Sequence, residues 1–317
     1  MCSSELLRKA DHTPGDSRLP RFKADLALFT VALIWGIAFV VQRLAAAQIG
    51  VFLFNGLRFL LGALVLLPFS RRGFDARAQT LGLQRKYLPG AILVGLALFS
   101  GAALQQEGLK YTNAGNAGFI TGLYVVLIPL FMAFMWREWP RPAVWIAACL
   151  SVLGLFLLST GGQMQLNPGD VLVLVSSIFW ALHVILVGKM VQRVGVVQLA
   201  IVQYLVCGLL SLLIGYAIED HSLYILAQAW WLILFTGVIS VGLGYTLQAI
   251  GQRLAPSADA AILLSMEAVF AAMFGWWILG ESLTSLQLVG CGIIFSGILL
   301  AQSDFAIGRK SVEDSSG

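Results

Sequence analysis

The strongest constraint on this chain is a succession of apolar runs of about 20 residues, parted by short polar connections. At 1.5 Å rise, about 20 helical residues cross a hydrocarbon core of about 30 Å, and short of a closed barrel only a helix satisfies its own backbone there. With 59% hydrophobic and 11% charged residues over 317 positions, and a mean hydropathy of +0.86, the chain is far more apolar than a soluble domain. The runs predict an all-α integral membrane protein of ten transmembrane helices, at 25–42, 51–69, 88–108, 113–136, 143–160, 170–190, 196–218, 226–248, 258–279 and 286–302.

Charge fixes the expected orientation. With the first 24 residues in the cytoplasm as a basic tail, every Lys and Arg except Arg43, Lys110 and Arg58 falls on the cytoplasmic side, as the positive-inside rule requires. That predicts a multi-pass protein of the cell (inner, cytoplasmic) membrane with both termini inside, the second being a tail over 303–317. The tail over 1–24 lacks the apolar core of a secretory signal. Seven tryptophans sit at expected interfaces: Trp136, Trp139 and Trp145 inside, and Trp230, Trp231, Trp276 and Trp277 outside. Trp35 and Trp180 fall mid-span instead.

Those two are related. Aligning Asp25 with Asp170 also superposes Trp35 on Trp180 and Arg58-Phe59 on Gln203-Tyr204. A slightly shorter offset brings Gly101 onto Gly244, Gln105 onto Gln248, Gly108 onto Gly251, Lys110 onto Arg253, Glu138 onto Glu281 and Gly154 onto Gly297. Chance matching of apolar runs yields Leu and Val coincidences, not these types. The chain therefore reads as two five-helix repeats, 25–160 and 170–302, joined by an extracytoplasmic linker at 161–169. Because five is odd, the second enters the membrane from the opposite face, an inverted repeat that provides two near-equivalent packings for alternating access.

Three stretches carry a family likeness: "LIWGIAFV", "LKYTNAGNAGFITGLYVVLIPLFMAFMWRE" and "DAAILLSMEAVFAAMFGWWILGESLTSLQLVGCGIIFSGILLA". Over about 25–302 the sequence resembles the EamA branch of the drug/metabolite transporter superfamily. The resemblance implies a ten-helix secondary carrier, often an exporter of amino acids or other small metabolites. Where the family commonly has Pro after its membrane Glu, Ala268 stands here, and the first-half counterpart of Gly280 is Arg137. Neither residue gives a reason for a helix break at Glu267.

Polar residues inside the spans are the site candidates. Glu267 lies near the midplane, where an ionised side chain costs several kcal/mol unless it faces protein, water or a partner. Its helical neighbours Ala260, Ala271 and Gly275 are small. A structural, hydrogen-bonded acid and a cavity-facing one are both open. Arg58, with Asn55 one turn before it, can hold a carboxylate or snorkel outward. Gln105 and Gln248 occupy matching depths and can bond substrate, gate the mouths or join helices. Trp35 and Trp180 can stack on an amphipathic substrate or pack as core. His183 is a proton relay or a packing residue, and Tyr124, the counterpart of Glu267, offers a hydroxyl at the same depth. Ala114, Gly118 and Gly122 form a tight-packing stripe after Asn113 and Asn116, Pro129 marks a bend, and Gly290, Gly292 and Gly297 suit packing within the chain or in a homodimer.

Several classes drop out. Cys2, Cys149, Cys207 and Cys291 show neither a disulfide framework nor metal-ligand spacing, and no phosphate-cradling Gly-rich motif precedes a Lys-Ser or Lys-Thr. No cofactor, no metal and no enzymatic activity are expected. The net charge of +4 lies between spans rather than along one face, which argues against nucleic acid. The expectation is a secondary carrier, an exporter of a small metabolite through a central cavity, compatible with proton coupling. The alternatives are an importer or exchanger, and a membrane sensor of the same fold.

Overall fold

The computed structural model describes residues 18–70, 83–112, 114–160, 168–220, 222–279 and 284–314. Arg71, Arg72, Arg77, Asn113, Gly280 and Glu281 lie outside them, as does the side chain of Asn116. Among the described residues every regular element is helical. They are α1 (Arg18–Ala46), α2 (Val51–Leu66), α3 (Leu88–Gly108), α4 (Ala114–Gly122), α5 (Tyr124–Met135), α6 (Pro142–Thr160) and α7 (Pro168–Met190). Next come α8 (Val196–Ile218), α9 (Leu223–Phe235), a π-helical segment (Thr236–Tyr245), α10 (Thr246–Leu254), α11 (Ser257–Leu264), α12 (Met266–Leu279) and α13 (Ser285–Asp314). Eight helical stretches are long and apolar enough to cross a membrane; Pro142–Leu158 and Ser285–Ala301 are shorter apolar helices. The chain is a multi-pass membrane protein. Phe134, Leu213 and Trp277 are 72%, 72% and 74% exposed, a surface suited to lipid rather than water.

Hydrogen bonds reveal which helix ends lie together. Arg21 and Arg141 both reach Asp259, Lys189 reaches Glu138, and Gln192 bonds the Arg253 carbonyl, which gathers the starts of α1, α6 and α11 with the ends of α5, α7 and α10 at one basic end. At the other end Arg43 bonds the Leu109 carbonyl, Thr112 bonds Asp170, and Glu219 accepts from the Phe52 and Leu53 amides.

Several expected helices differ from the sequence reading, among them the last, which runs to Asp314 rather than ending at 302. The span over 113–136 is interrupted at Leu123, and that over 258–279 at Ser265. Both residues carry nearly the same backbone angles, φ −60° with ψ −16° and −17°, values typical of a 3₁₀ turn. Leu123 bonds back to Ile120 and accepts from Val126, while the Ser265 hydroxyl bonds the Ile262 carbonyl at 2.6 Å, a contact that bends helices. Pro129 sits inside α5, and the interruption of this span lies upstream of it at Leu123. The span over 226–248 extends from Leu223 to Leu254 through the π segment, whose Gly237 lies against the Arg58 carbonyl of α2, where a Cβ would approach to 3.0 Å. α1 also outruns its expected bounds at both ends.

The packing repeats itself. Gly101 of α3 lies against Trp180 of α7, and its counterpart Gly244 lies against Trp35 of α1. Gly108 likewise meets Val173, and Gly251 meets Leu28, the residue that aligns with Val173. α6 and α13 run antiparallel: Gly154 abuts Gly290 while Ala147 abuts Gly297. Gly290 and Gly297 are thus used inside the chain, whereas Gly292 has nothing within 4 Å of a Cβ position. Gly122 packs on Leu155 as expected of the stripe, but Gly118 faces open space.

Candidate functional site

The two interruptions decide where the site lies. Tyr124 opens α5 and Glu267 lies in the first turn of α12, so the breaks set both counterparts at the same level. The Tyr124 hydroxyl donates to Glu267 Oε1 at 3.2 Å. Glu267 is 3% exposed and lines a central cavity, away from the lipid-facing surface. An acid held this way keeps an internal partner in a region where lipid offers none.

Around this pair the structure brings together seven of the nine sequence candidates: Glu267, Tyr124, Trp35, Trp180, His183, Gln105 and Gln248. Trp35 Nε1 donates to the Ser240 carbonyl at 3.3 Å. His183 Nε2 lies 2.7 Å from Gln203 Oε1, and Gln105 donates to the Thr121 hydroxyl at 2.8 Å. Gln248 donates to Gln252 at 3.0 Å. Three lining atoms have no partner among the described residues: Trp180 Nε1, His183 Nδ1 and Gln248 Oε1. Buried polar atoms are nearly always bonded to something, so these three suit a polar guest or ordered water.

Arg58 and Asn55 do not line this space. Arg58 is 2% exposed, donates to Asn55 Oδ1 at 3.0 Å and to Gln42 Oε1 at 2.9 Å, and lies 5.0 Å from the ring centres of Phe54 and Phe59. Outward snorkelling is thereby overturned, because the guanidinium is solvated inside by amide oxygens and aromatic faces. No ion pair joins it to Glu267. Gln42, which accepts from it, does line the cavity.

Sequence reasoning missed Gln42, Thr121, Ser240 and Tyr245. Tyr245 is the aromatic centre of the cavity, 4.7 Å from Trp35 and stacked within 15° on Trp180 at 6.1 Å. Its mid-span hydroxyl was the available signal. Also missed is Asp259, buried at the basic end, which accepts from Arg141 at 3.0 Å and Arg21 at 3.2 Å while Arg21 also pairs with Asp25 at 3.1 Å. The free space in the central cavity is about 40 Å³. That holds a few waters, well below the roughly 300–1,000 Å³ of sites that enclose a drug-sized ligand.

The sequence model of the EamA-like transporter family matches the chain twice, over residues 22–160 and 167–302. The chain belongs to the EamA-like transporter family. It is 31% identical over 290 residues to an uncharacterized transporter of Archaeoglobus fulgidus, covering 90% of this chain and 88% of that one. It is 25% identical to the uncharacterized transporter YoaV of Bacillus subtilis, covering 92% and 99%, and 26% identical to the uncharacterized inner membrane transporter YedA of Escherichia coli K12, covering 86% and 89%. One crystal structure matches with a TM-score of 0.74 over 89% of this chain and 96% of that chain at 20% identity, a likeness of fold. A transporter family with two copies of one repeat is thus the frame in which the cavity is read.

Proposed function

We propose that this EamA-like transporter is a secondary carrier that moves small metabolites, amino acids or other amphipathic compounds, outward across the cell membrane by alternating access. The carrying observation is the central cavity, where Glu267, the rings of Trp35, Trp180 and Tyr245 and three polar atoms unpartnered among the described residues converge at the level of two helix interruptions. Flat rings favour an amphipathic body, and the acid and amides favour its polar end. The outward direction rests on the family resemblance, and Glu267 makes proton coupling compatible with the site.

The same reading takes the chain as ten crossings in two inverted five-helix repeats, 25–160 and 170–302, with both termini in the cytoplasm. Antiparallel contact of the equivalent helices α6 and α13 supports inversion, as do the matched pairs Gly101 with Trp180 and Gly244 with Trp35. The basic residues gathered at one end support its cytoplasmic assignment. A cavity of about 40 Å³ corresponds to a contracted state that must widen to admit a metabolite.

Purified protein in liposomes, loaded with amino acids or amphipathic metabolites and assayed for counterflow with and without a pH gradient, tests the proposal. Saturable exchange is expected. Ligand binding without flux by folded protein would assign the chain to the sensor reading instead.

A further inference from the structure

Below the central cavity, toward the basic end, lies a second space of about 340 Å³. The two share the same walls one helical turn apart. Val184 of α7 and Gln248 of α10 face the central cavity, and Gly188 and Gln252, four residues further along each helix, face the vestibule. At the seam lies the Gln252 side chain. It is 2% exposed, donates to the Val184 carbonyl at 2.8 Å and to Ser257 at 3.4 Å, and accepts from Gln248 at 3.0 Å.

The matching place at the other end is built differently. There the counterparts of Gly188 and Gln252 are Arg43 and Leu109. Leu109 is fully buried and Arg43 donates to its carbonyl at 2.6 Å, whereas at the basic end the Ser257 hydroxyl packs against Gly188 beside the Gln252 amide. At one end the counterpart is a buried apolar side chain. At the other, Gln252 stands between cavity and vestibule on hydrogen bonds that water or a polar substrate can replace.

We propose that Gln252 is the gate of the central cavity on the basic face, through which polar substrates pass between cavity and vestibule. The inference rests on the carrier reading above. Release of Gln252 from Val184 and Gln248 joins the two spaces without any movement at Arg43 and Leu109. Gln252 acts as a positioning residue: it sets access, not affinity.

The test uses the full chain with its native cysteines replaced and Thr121→Cys as reporter in the central cavity. Inside-out and right-side-out vesicles are exposed to a small membrane-impermeant methanethiosulfonate. With Gln252→Ala, labelling from the basic face is expected to accelerate about tenfold or more; with Gln252→Trp it is expected to fall below the Gln252 rate. Labelling from the opposite face is expected to stay unchanged in both. Equal rates in the three proteins, or acceleration from both faces, overturn the gate. Gel filtration and thermal melting of each variant check that it is folded, and Gln252→Asn replaces any variant that is not, with faster labelling from the basic face alone as its expected result. Counterflow is measured in the same vesicles. Face-specific labelling without flux of any metabolite sustains the gate and rejects carriage, whereas undiminished flux through Gln252→Trp rejects the gate and leaves carriage standing.

Discussion

The two repeats share their scaffold and differ in their chemistry. Gly101 against Trp180 and Gly244 against Trp35 are the same contact made twice, and Leu123 and Ser265 interrupt equivalent helices with the same backbone angles. Among the polar groups some positions repeat, as Gln105 and Gln248 do, and others part: Tyr124 faces Glu267, and Arg58 holds Gln42 while its counterpart Gln203 holds His183. Helix contacts tolerate little change because a methyl group added between close-packed backbones has nowhere to go. Lining residues face space, and there several counterparts differ. A repeated frame thus surrounds a lining that is only partly repeated.

The largest expected effect separates the counterparts Glu267 and Tyr124. Glu267→Gln keeps insertion but lowers counterflow by about tenfold or more, about 1.4 kcal/mol in barrier height, and flattens its pH dependence; Tyr124→Phe lowers it only a few-fold. Equal loss in both variants would erase the distinction between copies.

Next comes the scaffold. Gly290→Ala brings a Cβ to 2.6 Å from the Gly154 carbonyl and is expected to cost about 1–3 kcal/mol, read as a lower melting temperature. Gly292→Ala, with nothing within 4 Å, is expected to shift stability by less than about 0.5 kcal/mol. Similar melting of the two would show that the α6 contact is not what holds α13.

A finer contrast lies between the tryptophans. Trp35→Phe removes a bond to the Ser240 carbonyl and is expected to cost about 1 kcal/mol in thermal stability. Trp180→Phe removes an indole N–H with no partner among the described residues, so stability holds while KM for transported compounds rises. The reverse pattern would place the substrate against the first repeat. Smallest is Arg137→Gly. Arg137 has φ 57°, a left-handed conformation costing an L-residue about 1–2 kcal/mol, at the position whose second-half counterpart is Gly280. The variant is expected to melt slightly higher, and a lower melting point would assign Arg137 a compensating contact.

Much of the frame was legible in the sequence because lipid leaves so few options. Apolar runs of bilayer length dictate helices, and recurring Asp, Trp, Gly and Gln disclose a duplication. Most of the cavity was legible for the same reason: Glu267, Trp35, Trp180, Gln105 and Gln248 are polar or amphipathic in spans where such groups are costly. Asp259 escaped notice because an acid near a helix start reads as an ordinary cap, and only folding brings Arg21 and Arg141 to it from distant segments.

By itself, then, the sequence determined the membrane as solvent, the repeat and the polar types available within the spans. Tertiary structure alone decided that Arg58 stands behind the cavity wall, that Tyr245 is its aromatic centre, and that the chain breaks at Leu123 and Ser265. The physical reason is that burial cost depends on residue type and local periodicity, which a sequence displays. Partnership depends on which helix faces meet, and that is settled by packing between segments more than a hundred residues apart, such as Tyr124 and Glu267.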